Sequence, residues 1–292
     1  MAASLRFYAE GLGFRLAAGR YASGPGLAAI QGLADPACVM WWLVTDQPFF
    51  QLELFQYASP KPHPRTDAWR ACDIGYTRIG VSLPDVRKAV EAAEQVGARI
   101  LARPEMVGGA RRACLLDPTG IPVELVEASG SGGPRLVSLA ASVPSIERAR
   151  RYFVETLGLG VSAVSPVEEP RERLWGLDPA AGDRLVVAAG DVRVELVEYR
   201  QPIPAPRRER FQLNDHGVLN IALGYRDWGE FNAAYERATA AGYHAQTAPM
   251  GPGGVFDVSY CTDADGFSVE LLYCPESSDE ALGFVASTPL RR

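Results

Sequence analysis

Histidine is scarce in this chain: only His63, His216 and His244 occur in 292 residues. A transition-metal site built on imidazole therefore has few places to form. Cysteine does not fill the gap. Cys38, Cys72, Cys114, Cys261 and Cys274 are scattered, odd in number and free of C-x-x-C spacing. That excludes a disulfide framework or zinc ribbon and leaves buried free thiols. No apolar run is long enough to span a bilayer, and the first residues carry no charged-then-apolar signal pattern. Positive charge is not in excess. A net charge of −6 and a pI near 5.3 exclude the concentrated basic face of a nucleic-acid binder. The remaining composition, 47% hydrophobic and 22% charged, is that of a globular protein with room for two ordinary domains. The expectation is a cytoplasmic protein whose partner is a small molecule, with no nucleic acid and no membrane. A homodimer is compatible with this.

What the chain has instead is repetition. "DPTGIPVELVE" (Asp117–Glu127) returns as "DADGFSVELLY" (Asp263–Tyr273). In the same order, "LRFYAEGLGF" (Leu5–Phe14) matches "ARRYFVETLGL" (Ala149–Leu159), and "FQLELFQY" (Phe50–Tyr57) matches "VRVELVEY" (Val192–Tyr199). "YTRIGVSLPDVRKAV" (Tyr76–Val90) then matches "VLNIALGYRDWGEF" (Val218–Phe231). Pro-rich connectors, "SPKPHPR" and "QPIPAPRR", occupy equivalent places in the two halves. The flexible "EASGSGGPR" (Glu127–Arg135) divides them. The domains expected are 1–128 and 136–292, joined by a linker over 129–135.

Each half is doubled again. Four x-E-L strands recur, carrying Glu53, Glu124, Glu195 and Glu270. Helices are expected after Pro84-Asp85, closing at Gly97, after Ser145, closing at Gly158, and after Asp227, closing at Gly242. "DPTG" and "DADG" read as turns into the last strand of each half. The glycine pairs of "MVGGARR" and "MGPGGVF" read as hairpin turns rather than a nucleotide fingerprint. Side chains alternate across a strand, so the valine and leucine flanking each glutamate share one face and the carboxylate takes the other. A lone buried carboxylate is costly, so its face must look into something polar. A curled sheet with helices outside and a wet cup inside meets both demands.

With these motifs the sequence resembles the vicinal oxygen chelate superfamily of glyoxalase I, extradiol dioxygenases and bleomycin- and fosfomycin-resistance proteins. The resemblance implies an α+β fold of paired β-α-β-β-β modules, each pair closing a cup-shaped, incomplete barrel with helices outside. It departs at the start. Helix begins by about Ser4, so either the first cup lacks an edge strand or the gene start lies upstream of Met1. The strand matching it in the second half, Arg135–Val143, is present.

The superfamily's metal enzymes use His, His and Glu. Carried over by position, the resemblance puts Arg78, Glu53 and Glu124 in the first cup. It puts Ser138, Glu195, Asn220 and Glu270 in the second. No histidine falls at a ligand position. Arg78 is always charged and would repel a divalent ion, so it is expected to pair with Glu124 and Glu53 or to bind an anionic substrate group. Substrate contacts are expected from Arg78, Glu53, Glu124, Tyr76 and Ser138. Catalytic roles are expected for Glu270 and Glu195 with Asn220, Tyr260 and the nearby turn residue His216. Two carboxylates in one partly apolar cup repel, so one should keep its proton to a raised pH. No metal or other cofactor is expected. If an ion binds, it is weakly held Mg²⁺ or Mn²⁺ on Glu270, Glu195, Asn220 and Ser138. The aromatics Trp41, Trp42, Phe49, Phe50, Phe55, Tyr57, Trp69 and Tyr76 suggest a pocket for a flat apolar ligand. Three activities fit: an enzyme acting on a small aromatic compound without the usual metal, a sequestering protein, or a dioxygenase or lyase with an altered ligand set.

Overall fold

A computed structural model describes residues 1–66, 68–251 and 255–287. Four modules follow one another. The first holds α1 (Ala2–Leu5) with a π-helical continuation (Arg6–Gly11), β1 (Arg15–Ser23), α2 (Pro25–Gln31), β2 (Ala37–Val44) and β3 (Leu52–Ser59). The second holds β4 (Gly75–Leu83), α3 (Val86–Gln95), β5 (Arg99–Val107), β6 (Ala110–Leu116) and β7 (Pro122–Glu127). The third holds β8 (Arg135–Ser142), α4 (Ile146–Arg150) continued to Thr156, β9 (Gly160–Pro166), α5 (Glu169–Glu172) with a 3-10 turn (Arg173–Trp175), β10 (Ala181–Ala189) and β11 (Val192–Gln201). The fourth holds β12 (Asn220–Tyr225), α6 (Trp228–Ala240), β13 (His244–Ala245), β14 (Asp257–Thr262) and β15 (Ser268–Tyr273).

The local signals act as expected. Asp85, Ser145 and Asp227 each accept the backbone N–H three residues on and so start α3, α4 and α6. Asp117 Oδ1 accepts from the Thr119 and Ile121 N–H groups, and Asp263 Oδ1 from those of Asp265 and Phe267. Each turn then passes through a left-handed glycine, Gly120 or Gly266, into its glutamate strand. Gly108 and Gly109 make the β5–β6 hairpin turn. The corresponding "MGPGGVF" reading falls on Pro252–Gly254, outside the described residues.

The sheets correct the expectation that each half closes its own cup. β4 pairs antiparallel with β8, Ile79 opposite Leu139, and zips the second and third modules into one eight-stranded sheet ordered β5-β6-β7-β4-β8-β11-β10-β9. The first strands of two modules are the edges that join, and the linker lets consecutive modules supply them. The chain-end modules are left to face each other. Their strands form separate sheets, β1-β2-β3 and β12-β15-β14-β13. Among the described residues the edges of β3 and β12 have no partner strand. The result is a central cup from modules two and three and a terminal cup from modules one and four. The main core lies on the helix-packed faces, around Tyr8, Tyr152, Phe153 and Phe231. Smaller clusters line the central cup (Cys72, Cys114, Leu174, Trp175) and the terminal cup (Cys38, Met40, Trp42, Tyr57). Among the described residues no helix is long and apolar enough to cross a membrane.

Candidate functional site

Glu124 on β7 and Glu195 on β11 point into the central cup, 1% and 3% exposed. Arg171, from the α5 turn, bridges them. Its Nη2 lies 2.8 Å from Glu124 Oε2 and 2.8 Å from Glu195 Oε1, and its Nη1 lies 3.0 Å from Glu195 Oε2. Arg112 adds a 2.5 Å bond to Glu124, and Arg78 stands 3.6 Å from Glu195. Trp175 floors the cluster, 3.7 Å beneath Arg78 and 5.1 Å from Arg171. Arg78 Nη1 donates to the Tyr199 hydroxyl, which donates to Glu172 at 2.6 Å. Burial works to raise the Glu195 pKa, but Arg171 and Arg78, helped by Arg184, carry it down to about 2. Glu124 is likewise lowered, burial being outweighed by Arg171 and Arg112. Both carboxylates are ionised and matched.

Three expectations for this cup change. Arg171, rather than Arg78, supplies the central positive charge. Glu53 is not here, because it belongs to the other cup. Tyr76 lies in the main core, its hydroxyl donating to the Ser268 carbonyl at 2.9 Å, because the β4 bulge between Tyr76 and Arg78 turns it to the helix side. Ser138 is buried on β8 opposite Gly80, in the central cup and apart from Glu270.

In the terminal cup, Glu53 on β3 stands opposite Trp42, whose Nε1 donates to its Oε1 at 2.8 Å. Glu270 on β15 stands opposite Tyr260 on β14 and next to β12, which carries Asn220. Both carboxylates are half-buried. Among the described residues no guanidinium bridges them. Burial, then repulsion by Glu270, pushes the Glu53 pKa up to about 8 against the opposing Trp42 bond and the Arg20 charge. Burial pushes Glu270 up to about 7, partly offset by Tyr260 and Asn220. The two titrate as a pair that retains a proton at neutral pH. The expected repelling pair thus exists, with Glu53 in the place assigned to Glu195. Glu195 lies in the central cup because its module pairs with the second module rather than the fourth. His216 is exposed in the loop before β12; its N–H bonds the His63 carbonyl, and it makes no hydrogen bond to either carboxylate pair.

Two segments roof the terminal cup. From α2, Leu27 packs on the inward cluster and Gln31 accepts from the Tyr57 hydroxyl at 3.0 Å. A strap follows β15. Asp279 pairs with Arg226, the Ala281 carbonyl accepts from Arg20, and the Leu282 and Gly283 carbonyls accept from the Gln51 amide. A side-chain carbon on Gly283 would come within 2.6 Å of the Trp42 ring. The aromatics expected in one pocket are distributed: Trp42, Phe55 and Tyr57 belong to this cup, Trp69 packs at the central cup, and Phe50 and Tyr76 pack at the core. The surface cavities of 290 Å³ around Ile74 and Pro204 and of 140 Å³ around Arg148 and Asp265 lie outside both cups.

The doubled architecture has a counterpart in sequence. The chain matches the Glyoxalase/Bleomycin resistance protein/Dioxygenase superfamily twice, over residues 1–125 and 135–271. It belongs to that superfamily. Glyoxalase I from Zea mays is similar in fold, with 17% identity, 97% of this chain and 92% of that chain covered, and a TM-score of 0.65. A putative dioxygenase from Bacillus subtilis is similar to the same degree, with 16% identity, 98% and 87% covered, and a TM-score of 0.65. No protein of curated function matches the sequence.

The His, His and Glu metal centre that the superfamily resemblance implies does not fit the residues present here. Arg171 fills the space between the central carboxylates. Beside the terminal pair stand the Asn220 amide, the Tyr260 phenol and the Trp42 indole, and among the described residues no imidazole bonds to it. Among the described residues no group of three or more His, Cys, Asp or Glu is arranged to hold a metal.

Arg171 and Trp175 escaped the sequence reading. A signal was there: "GLADP" (Gly32–Pro36) and "GLDP" (Gly176–Pro179) mark an insert repeated in the first and third modules.

Proposed function

We propose that the terminal cup is the working site of a superfamily member that binds or transforms a small, apolar or aromatic compound, with Glu53 and Glu270 as a metal-free acid–base pair. One observation carries the reading. Of two equivalent carboxylate pairs, the central one is neutralised by Arg171, whereas the terminal one is left with raised pKa values near 7 and 8. A pair sharing one proton offers a base and an acid at physiological pH. Glu270 is the candidate base, Glu53 the protonated partner oriented by Trp42, and Asn220 and Tyr260 the groups that hold Glu270. Trp42, Tyr57 and Met40 supply apolar contact. No resident cofactor is needed. A hard ion such as Mg²⁺ would find oxygen donors only and bind weakly.

Glu270→Gln tests this. Loss of turnover or of ligand binding, with circular dichroism unchanged, is the expected result. If the pair is only a relic, the same change is neutral or stabilising, because one of two crowded charges is gone. Sequestration without chemistry remains the second reading, and the strap favours it, since a roofed cup suits holding a ligand as well as converting it.

A further inference from the structure

The two cups carry the same pair of glutamates, but among the described residues only one has a cation built in. The equivalence is set by register. Glu124 lies beside Gly80 of β4 as Glu270 lies beside Ala222 of β12, each in a parallel pair. Glu195 lies opposite Val186 of β10 as Glu53 lies opposite Trp42 of β2. The inserts over the cups are equivalent too. α2 and the α5 turn both end at a left-handed glycine, Gly32 with φ 64 and Gly176 with φ 77. Each is followed by a buried leucine, and the Leu33 N–H returns to the Ala28 carbonyl as the Leu177 N–H returns to the Glu172 carbonyl. Stepping back one residue from Ala28 and Glu172 aligns Leu27 with Arg171.

Leu27 packs against the apolar cluster of the terminal cup, so its side chain enters the cup as that of Arg171 does. Leucine ends before the length at which arginine carries its head group. The Arg20 charge acts on Glu53, but Arg20 is exposed at the rim, stacked 4.6 Å over the Trp42 ring and bonded to the Ala281 carbonyl.

We propose that the terminal cup binds a small organic cation, a guanidinium or protonated amine on a compact apolar body, between Glu53 and Glu270. This rests on reading that cup as the ligand site. The central cup is the template, since the same pair in the same molecule holds the Arg171 guanidinium by four bonds. Charge-assisted, forked bonding of this kind is the strong form of carboxylate recognition. The aromatic element recurs, with Trp42, Tyr57 and Tyr260 beside the terminal pair where Trp175 underlies the central one. Leu27, Leu33 and Met40 would receive the apolar body. Ligands whose only charge is a carboxylate or phosphate are excluded, because they meet two acidic groups. A cation also displaces the proton the pair retains, so binding releases protons below about pH 7, and the release fades as pH rises past about 8, where the free pair is already ionised. Entry requires the strap over Trp42 to lift.

Methylguanidinium chloride is the probe, titrated calorimetrically into the full chain at matched ionic strength, with neutral methylurea as the isosteric control. The expected result is one-to-one binding of methylguanidinium, none of methylurea, and an observed heat that varies with the buffer's ionisation enthalpy. Glu270→Gln should weaken binding at least tenfold. Leu27→Arg should abolish it by installing the tethered guanidinium, with Tm at or above the parent value, while Leu27→Met keeps it. If methylguanidinium fails to bind the parent, or binds Glu270→Gln and Leu27→Arg as well as the parent, the proposal is overturned. If it fails while Glu270→Gln still abolishes turnover or ligand binding, the cationic class is wrong and the cup assignment stands. If it binds as expected and Glu270→Gln keeps turnover, the cation site stands and the acid–base role falls.

Discussion

Arg171 carries the sharpest test at the level of single residues. Removing it leaves two buried, ionised carboxylates without their shared partner, a loss that typically costs about 3–5 kcal/mol. Arg171→Ala should therefore lower the free energy of unfolding by about that amount, measured by urea titration. Arg112→Ala, whose partner Glu124 keeps Arg171, should cost much less. The terminal pair behaves in the opposite sense. A carboxylate whose folded pKa is raised from 4.5 to about 8 favours the native state while protonated. That stability is complete below about pH 4.5 and is lost as pH rises through 7 to 8. Glu53→Gln should flatten this loss, so Tm of the variant and the parent should diverge upward from pH 5 to pH 9. Parallel curves would mean that the pair does not hold its proton. The inward aim of all four glutamates was legible, because strand alternation between apolar neighbours leaves them no other face. Arg171 was not, because a short insert between β9 and β10 has no periodicity and its partners lie 47 and 24 residues away in sequence.

Among the elements, the helices follow from their first residues. Asp227→Ala removes the acceptor for the Glu230 N–H and should cost about 1 kcal/mol, read from the Tm shift. Capping aspartates, Asx turns and closing glycines were readable because each acts within a few residues of itself. Strand partnership was not, because it is a choice among similar edges. Four modules with near-identical x-E-L strands can pair off in three ways, and nothing in "RLVSLAAS" says that its neighbour will be β4. The same ambiguity put Glu195 beside Glu270 in the sequence reading, when Glu53 is the glutamate that meets it.

For the whole molecule, each cup draws one module from each half. Residues 1–128 expressed alone would hold half of two cups and expose the β4 edge that β8 covers. Neither that fragment nor residues 135–292 should fold cooperatively alone, whereas the two co-expressed should associate into a stable complex, followed by size-exclusion chromatography and circular dichroism. Independent folding of each fragment as a monomer would contradict the shared sheet.

The seam between β3 and β12 sets the two cups apart in mechanical terms. The central cup is one continuous hydrogen-bonded sheet, so Glu124 and Glu195 are held at a fixed separation. Glu53 and Glu270 stand on separate plates that no strand ladder among the described residues ties together. Their spacing is set by side-chain packing and by the strap, which makes the terminal cup the compliant one. It can widen or narrow around a guest without breaking a backbone bond, and amide hydrogens along Leu52–Tyr57 and Asn220–Tyr225 should exchange faster than those along β11 and β4.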